Sequence, residues 1–381
     1  MHHQGSLSTR ANVGRAFFLA ILRNPEMATR LGLSEWDQTL SQGRRAGILA
    51  RLHYKLEALD MLSQLPEKVR EALRAECLVA KENKRALNWE LNRLQRALSR
   101  TGVRVVILKG AAYAAAELPP SKGRVCSDVD ILVAKDKLGV VEEALNRHGW
   151  EPVTSDEYDQ HYYRSWIHEL PPLRHKDRDA VVDVHHALVP ETSRIRSDSS
   201  LLLESSIPLP GSAFQILAPA DMVLHSATHL FQDEDPDVIL RDLKDIDDLL
   251  EHFGREEFWD ELLDRSRQLG LQRPLFYALR YAERLLGTPV PERVSAATKK
   301  DGPPWLVSRT MDALVLRAVT THHATKRRLA SRVARGFLYL HSHWLRMPFL
   351  LLTRHLLRKS IRRLTDRKEI ADEAPKTNGR P

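Results

Sequence analysis

Residues 103–133 read VRVVILKGAAYAAAELPPSKGRVCSDVDILV, and the predicted fold is built outward from this stretch. Val103 to Leu108 is a short apolar run rich in β-branched residues, which is typical of a buried strand. The alanine-rich segment from Ala111 to Glu117 has high helix propensity. Gly110 is therefore predicted at a strand-to-helix turn, where backbone amides and the helix dipole favour an anion such as a phosphate.

Two acidic residues come near the end of this stretch. The segment from Asp128 to Val133 alternates into a second predicted strand. Side chains on a strand repeat with a period of two, so Asp128 and Asp130 point to the same face. Two carboxylates held side by side repel unless a cation or a proton separates them, and a divalent metal is the usual answer where the site also faces phosphate.

A third carboxylate comes from a later segment. The β-branched run from Ala180 to His185 predicts another strand, on which Asp183 and His185 share one face. If this strand lies next to the strand of Asp128 and Asp130, three carboxylates converge. Transfer with two metals about 3.5–4 Å apart needs this arrangement, because one metal lowers the pKa of the attacking hydroxyl while the other stabilises the leaving pyrophosphate.

These motifs resemble the uncharacterised nucleotidyltransferase family of the DNA polymerase beta superfamily, over roughly residues 103–250. The matching residues are Lys109 and Gly110 after a strand, Arg124 ahead of Ser127-Asp128-Val129-Asp130, Val182-Asp183-Val184-His185, and then Pro219, His225, His229, Arg241 and Asp245 in the family's order. The resemblance implies an α+β fold with a nucleotidyltransferase-like mixed sheet flanked by helices. It also implies that Asp128, Asp130 and Asp183 are catalytic and bind Mg²⁺ or Mn²⁺.

One position departs from the wider superfamily, which commonly has Ser after the turn glycine. Ala111 stands there in this sequence, so the hydroxyl that helps to hold the triphosphate is missing. The predicted nucleotide-binding residues are Lys109, Gly110, Arg124 and Ser127.

Most of these residues also have a purely structural interpretation. A lone Asp-x-Asp is more often a solvated strand end than a metal site. Arg124 can simply pair with a carboxylate, and Lys109 can be a surface lysine whose chain lies along apolar surface. His185 either orients a catalytic acid, contacts the nucleotide, or is a hydrogen-bonded structural histidine.

The composition indicates a cytoplasmic globular protein. The chain has 381 residues, of which 43% are hydrophobic, which is enough for two or three domains. Two cysteines give no disulfide framework, and a reduced compartment fits best. The N-terminus has no long apolar segment of the signal-peptide kind. Histidines are frequent between residues 161 and 186, but their spacing fits no zinc-site rule.

We expect four regions along the chain. They are a helical N-terminal region (1–100), a nucleotidyltransferase catalytic core (101–210), a helical domain that closes the site (211–325), and a basic amphipathic C-terminal segment with a disordered tail (326–381). In the third region, Pro219 opens a helix that carries His225 and His229 four residues apart. Arg241 and Asp245 are predicted to form an i, i+4 ion pair on the next helix. The family resemblance makes His185, His229 and Arg241 candidate substrate contacts.

The C-terminal segment is strongly basic. Between Thr325 and Lys368 thirteen residues are Lys or Arg and one, Asp366, is acidic, whereas the whole chain has a net charge of +8. Aromatic and leucine residues are interleaved with these charges, which suits a helix on an anionic membrane surface, with nucleic acid a weaker alternative. The same pattern also suits an ordinary amphipathic helix packed on the core. The protein would be peripheral at the membrane if this segment docks there.

The sequence therefore predicts a metal-dependent nucleotidyltransferase that moves a nucleoside monophosphate from a nucleoside triphosphate to an unknown acceptor hydroxyl or phosphate. The alternative is a non-catalytic nucleotide-binding adaptor that docks through its basic C-terminus to a membrane surface or nucleic acid. The three acids favour the enzyme, and Ala111 favours the adaptor.

Overall fold

The computed structural model describes residues 17–153, 168–230, 238–319 and 329–346. Within them, the protein has an α+β fold with one mixed seven-stranded sheet flanked by many helices. Helical regions precede and follow the sheet in the chain. The predicted fold class is confirmed.

The strands are short and form a sheet of order β3-β4-β5-β2-β1-β7-β6. Their bounds are β1 Val106–Ile107, β2 Val129–Leu132, β3 Trp150–Pro152, β4 Leu173–His175, β5 Val181–His185, β6 Ile207–Pro208 and β7 Gln215–Ile216. The pairs β2–β5 and β1–β7 are parallel, and the other neighbours are antiparallel. The hairpin of β6 and β7 extends the sheet across residue 210, where the catalytic core was predicted to end.

The first predicted strand, from Val103 to Leu108, is observed as β1 over Val106–Ile107. The ladder continues beyond these bounds, since Leu108 donates its N–H to the Asp130 carbonyl at 3.0 Å and the Val105 carbonyl accepts from Gln215 at 2.9 Å. The difference from the prediction therefore lies at the ends of the strand, where assignments are least certain.

Helices cover most of the remaining described residues. They are α1 Phe17–Arg23, α2 Leu33–Arg45, α3 Leu49–Ala58, α4 Glu67–Leu98, α5 Lys109–Ala115, α6 Leu138–Arg147, α7 Ser200–Ser205, α8 Pro219–His229, α9 Ile239–Phe253, α10 Glu256–Gln268, α11 Gln272–Tyr281, α12 Glu292–Lys300, α13 Trp305–Val319 and α14 Leu329–Arg346. Shorter 3₁₀ and π turns connect some of them.

The long helix α4 supports one face of the sheet. Its buried side chains recur at intervals of three and four residues, as in Val69, Leu73, Cys77 and Ala80, which places them in a single stripe along the helix. α4 packs against α3, α5 and α6. It thereby joins the helical N-terminal region to the part of the chain that carries the predicted site.

Helix α5 begins directly after the first strand, at Lys109 rather than at the predicted Ala111. Lys109 has a positive φ of 43°, a conformation that costs a residue with a Cβ on the order of 1–2 kcal/mol. The Tyr113 hydroxyl lies 2.7 Å from the Ser226 hydroxyl, which ties α5 to α8. The strained turn thus lies between the first strand and a helix, α5, that is fixed to α8.

Two other helices have clear end signals, and the start of α8 at Pro219 is as predicted. α6 ends at Arg147, and Gly149, which has a φ of 91°, follows it in the left-handed conformation expected after a helix C-terminus. α8 has Pro219 at its first position.

The C-terminal helix α14 packs against α13 through a buried face that includes Ala334 and Leu338. The predicted basic segment is described only over α14, so the apolar run at 347–352 and the tail at 371–381 lie outside the described residues. None of the helices in the described parts of the chain is both long and apolar enough to cross a membrane.

Candidate functional site

Three aspartates meet where β2 and β5 lie side by side. Asp130 and Asp183 are directly opposite each other in the parallel register, and Asp128 immediately precedes β2. Because side chains alternate along a strand, the three carboxylates share one face of the sheet. The prediction that Asp183 lies on the adjacent strand is confirmed. We call Asp128, Asp130 and Asp183 the carboxylate cluster.

The three carboxylates differ in acidity. Burial and the neighbouring charges of Asp130 and Glu169 raise the pKa of Asp183 to about 7. Burial and Asp130 also raise the pKa of Asp128. Burial opposes the ionisation of Asp130 as well, but Lys109 and His185 outweigh it and hold its pKa well below the ordinary range. At neutral pH the site therefore carries a permanent charge on Asp130 and a proton that Asp183 readily gains or loses.

The cluster has the chemistry of a divalent metal site. Oδ1 of Asp183 is buried and has no hydrogen-bond partner. An unpaired buried oxygen is costly, and a hard cation bound by several carboxylate oxygens would satisfy it. These residue types therefore suit Mg²⁺ or Mn²⁺, which Asp128, Asp130 and Asp183 would hold.

Lys109 faces the cluster from the turn before α5. Its Nζ lies 3.5 Å from Oδ2 of Asp130, and its side chain is only 15% exposed. Lys109 is therefore not the surface lysine of the structural interpretation. The predicted nucleotide-binding Ser127 precedes Asp128 at the edge of the same cluster, and its side chain acts to lower the pKa of the Asp128 carboxyl.

Gly110 is required by the close approach of two neighbouring side chains. A Cβ at this position would lie 2.4 Å from Sγ of Cys126 and 2.6 Å from Nη1 of Arg124. Real Cβ atoms do not come so close to other heavy atoms. Glycine at this turn is thus explained by packing against Arg124 and Cys126.

Arg124 pairs with carboxylates, which is the structural interpretation considered for it. Its Nε donates to Oδ2 of Asp245 at 2.9 Å, and its Nη2 lies 4.0 Å from Oδ1 of Asp242. Arg51 of α3 also donates to Asp245. The predicted Arg241–Asp245 pair is wrong, because Arg241 donates to Asp242 at 2.9 Å instead. Asp245 faces the two arginines contributed by distant segments.

His185 lies between two carboxylates. Its Nε2 is 3.0 Å from Oδ1 of Asp130, and its Nδ1 is 3.1 Å from Oε2 of Glu169. Burial works against a charge on this ring, but Glu169 and Asp130 outweigh it and raise the pKa of His185. When protonated, the ring donates to both acids and so fixes the orientation of Asp130.

Glu169 was not found from the sequence. It forms an isolated bridge with His185 and enters the site from a segment with no strand pattern of its own. A local hydrophobic period cannot reveal such a contact, because only the tertiary pairing brings the two residues together.

Of the two histidines of α8, His225 is buried and His229 is half-buried, and both lie within electrostatic range of the cluster. Burial and the charge of Lys109 lower the pKa of His225 to about 3 and that of His229 well below its ordinary value. Both rings are therefore neutral at pH 7. Arg241, in contrast, contacts Asp242 and has its aliphatic chain beside Gly47, so its contacts are with the N-terminal region.

A cavity of about 480 Å³, including the part open to solvent, lies beside the cluster on the other face of the sheet. It is lined by Leu87 and Leu94 of α4, by Val129 and Val182 of the two central strands, and by Trp150, with Ser127 and Asp128 at the same cavity. Of the carboxylate cluster, only Asp128 lines this cavity.

Unlike the carboxylate cluster, two groups of side chains in the described residues have possible ligand atoms that all lie within 4.8 Å of one another. They are His168, Glu169 and His185, and Asp247, Asp248 and Glu251. The first group adjoins the carboxylate cluster through His185. In the second, Lys244 already pairs with Asp247 and Asp248, which balances part of its charge.

No curated protein and no solved structure matches this chain significantly. A family model does match, over residues 33–287, and it is described as an uncharacterised nucleotidyltransferase. The match extends beyond the part of the chain in which the motifs were recognised and takes in the N-terminal helices from α2 onwards. Because it covers more than half of the sequence, the chain belongs to this nucleotidyltransferase family.

Proposed function

We propose that this protein is a metal-dependent nucleotidyltransferase of the DNA polymerase beta-like superfamily. It moves a nucleoside monophosphate from a nucleoside triphosphate to an acceptor hydroxyl or phosphate. The observation that carries the proposal is the pairing of Asp130 with Asp183 in register on adjacent parallel strands, with Oδ1 of Asp183 buried and unpartnered. An isolated Asp-x-Asp at a solvated strand end would have neither property.

The carboxylate cluster would hold Mg²⁺ or Mn²⁺. When bound, these ions would lower the pKa of the attacking hydroxyl and neutralise the charge that develops on the pyrophosphate. His185 keeps the carboxylate of Asp130 in place through its 3.0 Å hydrogen bond. Glu169 holds the other side of the same ring.

The reaction is an in-line displacement at the α-phosphorus. The acceptor oxygen forms a new bond to phosphorus, the bond from phosphorus to the bridging oxygen breaks, and pyrophosphate leaves. The pKa of Asp183, about 7, suits it to take the proton of an acceptor hydroxyl at neutral pH. Lys109 and the backbone amide of Gly110 are the groups proposed to contact the phosphates, and Ser127 positions Asp128.

The second candidate is a nucleotide-binding adaptor without turnover, and one observation favours it. Ala111 is 2% exposed and takes the place where the wider superfamily commonly has a serine hydroxyl. An adaptor would bind nucleotide without consuming it and would dock through the basic C-terminus.

A transfer screen separates the two candidates. The protein is incubated with each α-labelled nucleoside triphosphate, with Mg²⁺ or Mn²⁺, and with protein, RNA and small-molecule acceptors. Metal-dependent labelling with release of pyrophosphate, lost in Asp130→Asn and kept in the exposed control Asp136→Asn, supports the enzyme. Binding of nucleotide without label transfer to any acceptor supports the adaptor.

A further inference from the structure

The C-terminal end of α14 is fixed beside the site, although it lies outside the residues matched by the family. The hydroxyl of Thr192 donates to the carbonyl of Arg346 at 2.9 Å, and that of Ser193 donates to the carbonyl of Leu345 at 3.0 Å. Arg194 donates to the Trp344 carbonyl at 3.0 Å and stacks over the Trp344 ring at 4.2 Å. These contacts join the last turn of α14 to the loop that follows β5.

This anchoring places the side chain of Arg346 near His168 and His229. Its Nε is buried without a hydrogen-bond partner, and no carboxylate of the described residues lies within ion-pair distance of it. Its positive charge acts on His168 and His229. Lys109 acts on the same two rings, so both cations lie within electrostatic range of them.

His168 adds a second unsatisfied group. Its Nδ1 is buried without a partner, and its ring lies 5.3 Å from that of His185, measured between centroids. His185 in turn contacts Asp130. Unpaired buried atoms are rare in native proteins, and here His168, Arg346 and Asp183 each contribute one.

Two buried nitrogen atoms beside the carboxylate cluster have no partner, Nε of Arg346 and Nδ1 of His168, and both suit an anionic ligand. An unpaired buried N–H is costly, and a phosphate can accept from Nε and a terminal nitrogen of the same guanidinium in a bidentate manner. We propose that Arg346 and His168 form a seat for the pyrophosphate portion of the nucleoside triphosphate. The inference rests on the proposed function and adds a phosphate-binding residue from the C-terminal helix.

The alternative ligand at this position is a metal ion bound by His168, Glu169 and His185. His185 is bonded to carboxylates on both ring nitrogens, so neither nitrogen is free to bind a metal. The positive charges of Arg346 and Lys109 also act on His168, and they would repel a divalent cation. Both features favour an anion.

The test is calorimetric titration of inorganic pyrophosphate, ATP and AMP, each with Mg²⁺, into the wild-type protein, Arg346→Gln and Arg346→Lys. The matched control is Arg332→Gln, which removes the same charge from an exposed position of the same helix. The α14 anchor uses the backbone carbonyl of Arg346, so the substitutions leave it in place. Thermal unfolding confirms that each variant is folded.

We expect Arg346→Gln to weaken pyrophosphate and ATP binding by about tenfold or more, since hydrogen bonds to charged groups contribute roughly 1.5–3 kcal/mol. Binding of AMP should not change, Arg346→Lys should recover part of the loss, and Arg332→Gln should match the wild type. Equal pyrophosphate affinity in wild type and Arg346→Gln overturns the seat. So does a tightly bound zinc ion that His168→Ala removes.

The outcome is separable from that of the proposed function. If wild type transfers nucleotide and Arg346→Gln binds pyrophosphate equally well, only the seat fails. If pyrophosphate binding depends on Arg346 but no acceptor is ever labelled, the transferase proposal fails and the anion seat stands. If wild type does not bind pyrophosphate at all, the seat is wrong.

Discussion

Asp130 and Asp183 are opposite each other on two parallel strands, yet their pKa values move in opposite directions. Lys109 and His185 lie against Asp130, whereas Asp183 faces other carboxylates and has one oxygen without a partner. Two acids of the same type thus differ because of their surroundings: Asp130 stays ionised, whereas Asp183 exchanges a proton near neutral pH.

Asn in place of Asp128 or Asp130 should abolish metal-dependent nucleotide binding without unfolding the protein. Each substitution removes a charge and nearly keeps the side-chain volume, so we expect cation binding to be lost while the fold is kept. Titration of magnesium-ATP should show affinity reduced by at least about tenfold, the size expected for a lost charged contact. Asp136→Asn, whose side chain is 70% exposed, is the control. Unchanged affinity in both cluster variants would exclude the metal assignment.

Asp183 should destabilise the metal-free protein as the pH rises. Its pKa is about 7 in the folded protein, whereas the ordinary pKa of an aspartate is 3.8. Between these two pH values the folded state keeps a proton that the unfolded state has lost, so the free energy of unfolding falls with rising pH. Above pH 7 the loss is complete. Asp183→Asn should then be more stable than wild type by roughly 1–3 kcal/mol, because it removes an unpaired buried charge.

Chemical denaturation at pH 5 and pH 8, in the presence of a chelator, measures this difference. Asp179→Asn serves as the control, because its carboxylate is exposed and contacts only Arg174 at the surface. At pH 8, added Mg²⁺ should raise the unfolding free energy of wild type and leave that of Asp183→Asn unchanged. If the difference in unfolding free energy between wild type and Asp183→Asn is the same at pH 5 and pH 8, the raised pKa of Asp183 is contradicted.

At the scale of elements, α9 connects the N-terminal helices to the loop before β2. Asp245 accepts from Arg51 of α3 and from Arg124, and Arg124 packs against the turn at Gly110. The charges of the two arginines outweigh burial and lower the pKa of Asp245, which stays ionised. The helix thus braces the turn that carries Lys109.

Asp245→Asn should destabilise the protein strongly. It leaves two buried guanidinium groups without their shared carboxylate, and breaking a buried ion pair costs about 3–5 kcal/mol. Asp264→Asn on α10 removes an exposed partner of Arg267 and should cost less than about 1 kcal/mol. Urea denaturation of the two variants measures the contrast. If both variants lose less than about 1 kcal/mol of unfolding free energy, Asp245 does not stabilise the contact between α9, Arg51 and Arg124.

Strand periodicity was enough to predict that Asp128 and Asp130 share a face. That Asp183 joins them depends on the pairing of β5 with β2, which periodicity does not determine. Turn and helix signals also located the turn at Lys109 and Gly110, and helix α8. They could not predict the partners of Asp245, because the i, i+4 rule treats a helix as isolated while tertiary contacts with Arg51 and Arg124 decide the pairing. Glu169 and Arg346 reach the site from segments far away in the sequence, and no local pattern marks such contacts.

At the scale of the whole molecule, α14 has two faces with different roles. Ala334 and Leu338 are buried against the rest of the protein. Val333, Phe337, Leu340 and Trp344 are between 41% and 56% exposed and recur at helical spacing, so they form an apolar stripe. The sequence that follows is rich in basic residues up to Lys368. We propose that an anionic membrane surface is what this side of the protein contacts.

Liposome co-sedimentation tests this proposal, using full-length protein and a truncation that ends after Arg346, which keeps α14 and the anchor to Thr192. Basic residues near an anionic bilayer contribute roughly 1 kcal/mol each, and an apolar stripe adds burial. Full-length protein should pellet with phosphatidylserine vesicles, and salt should weaken the binding. The truncation should pellet less, because it loses most of the basic residues but keeps the stripe. Absence of pelleting with anionic vesicles would leave α14 as a packing helix whose end supplies Arg346 to the site.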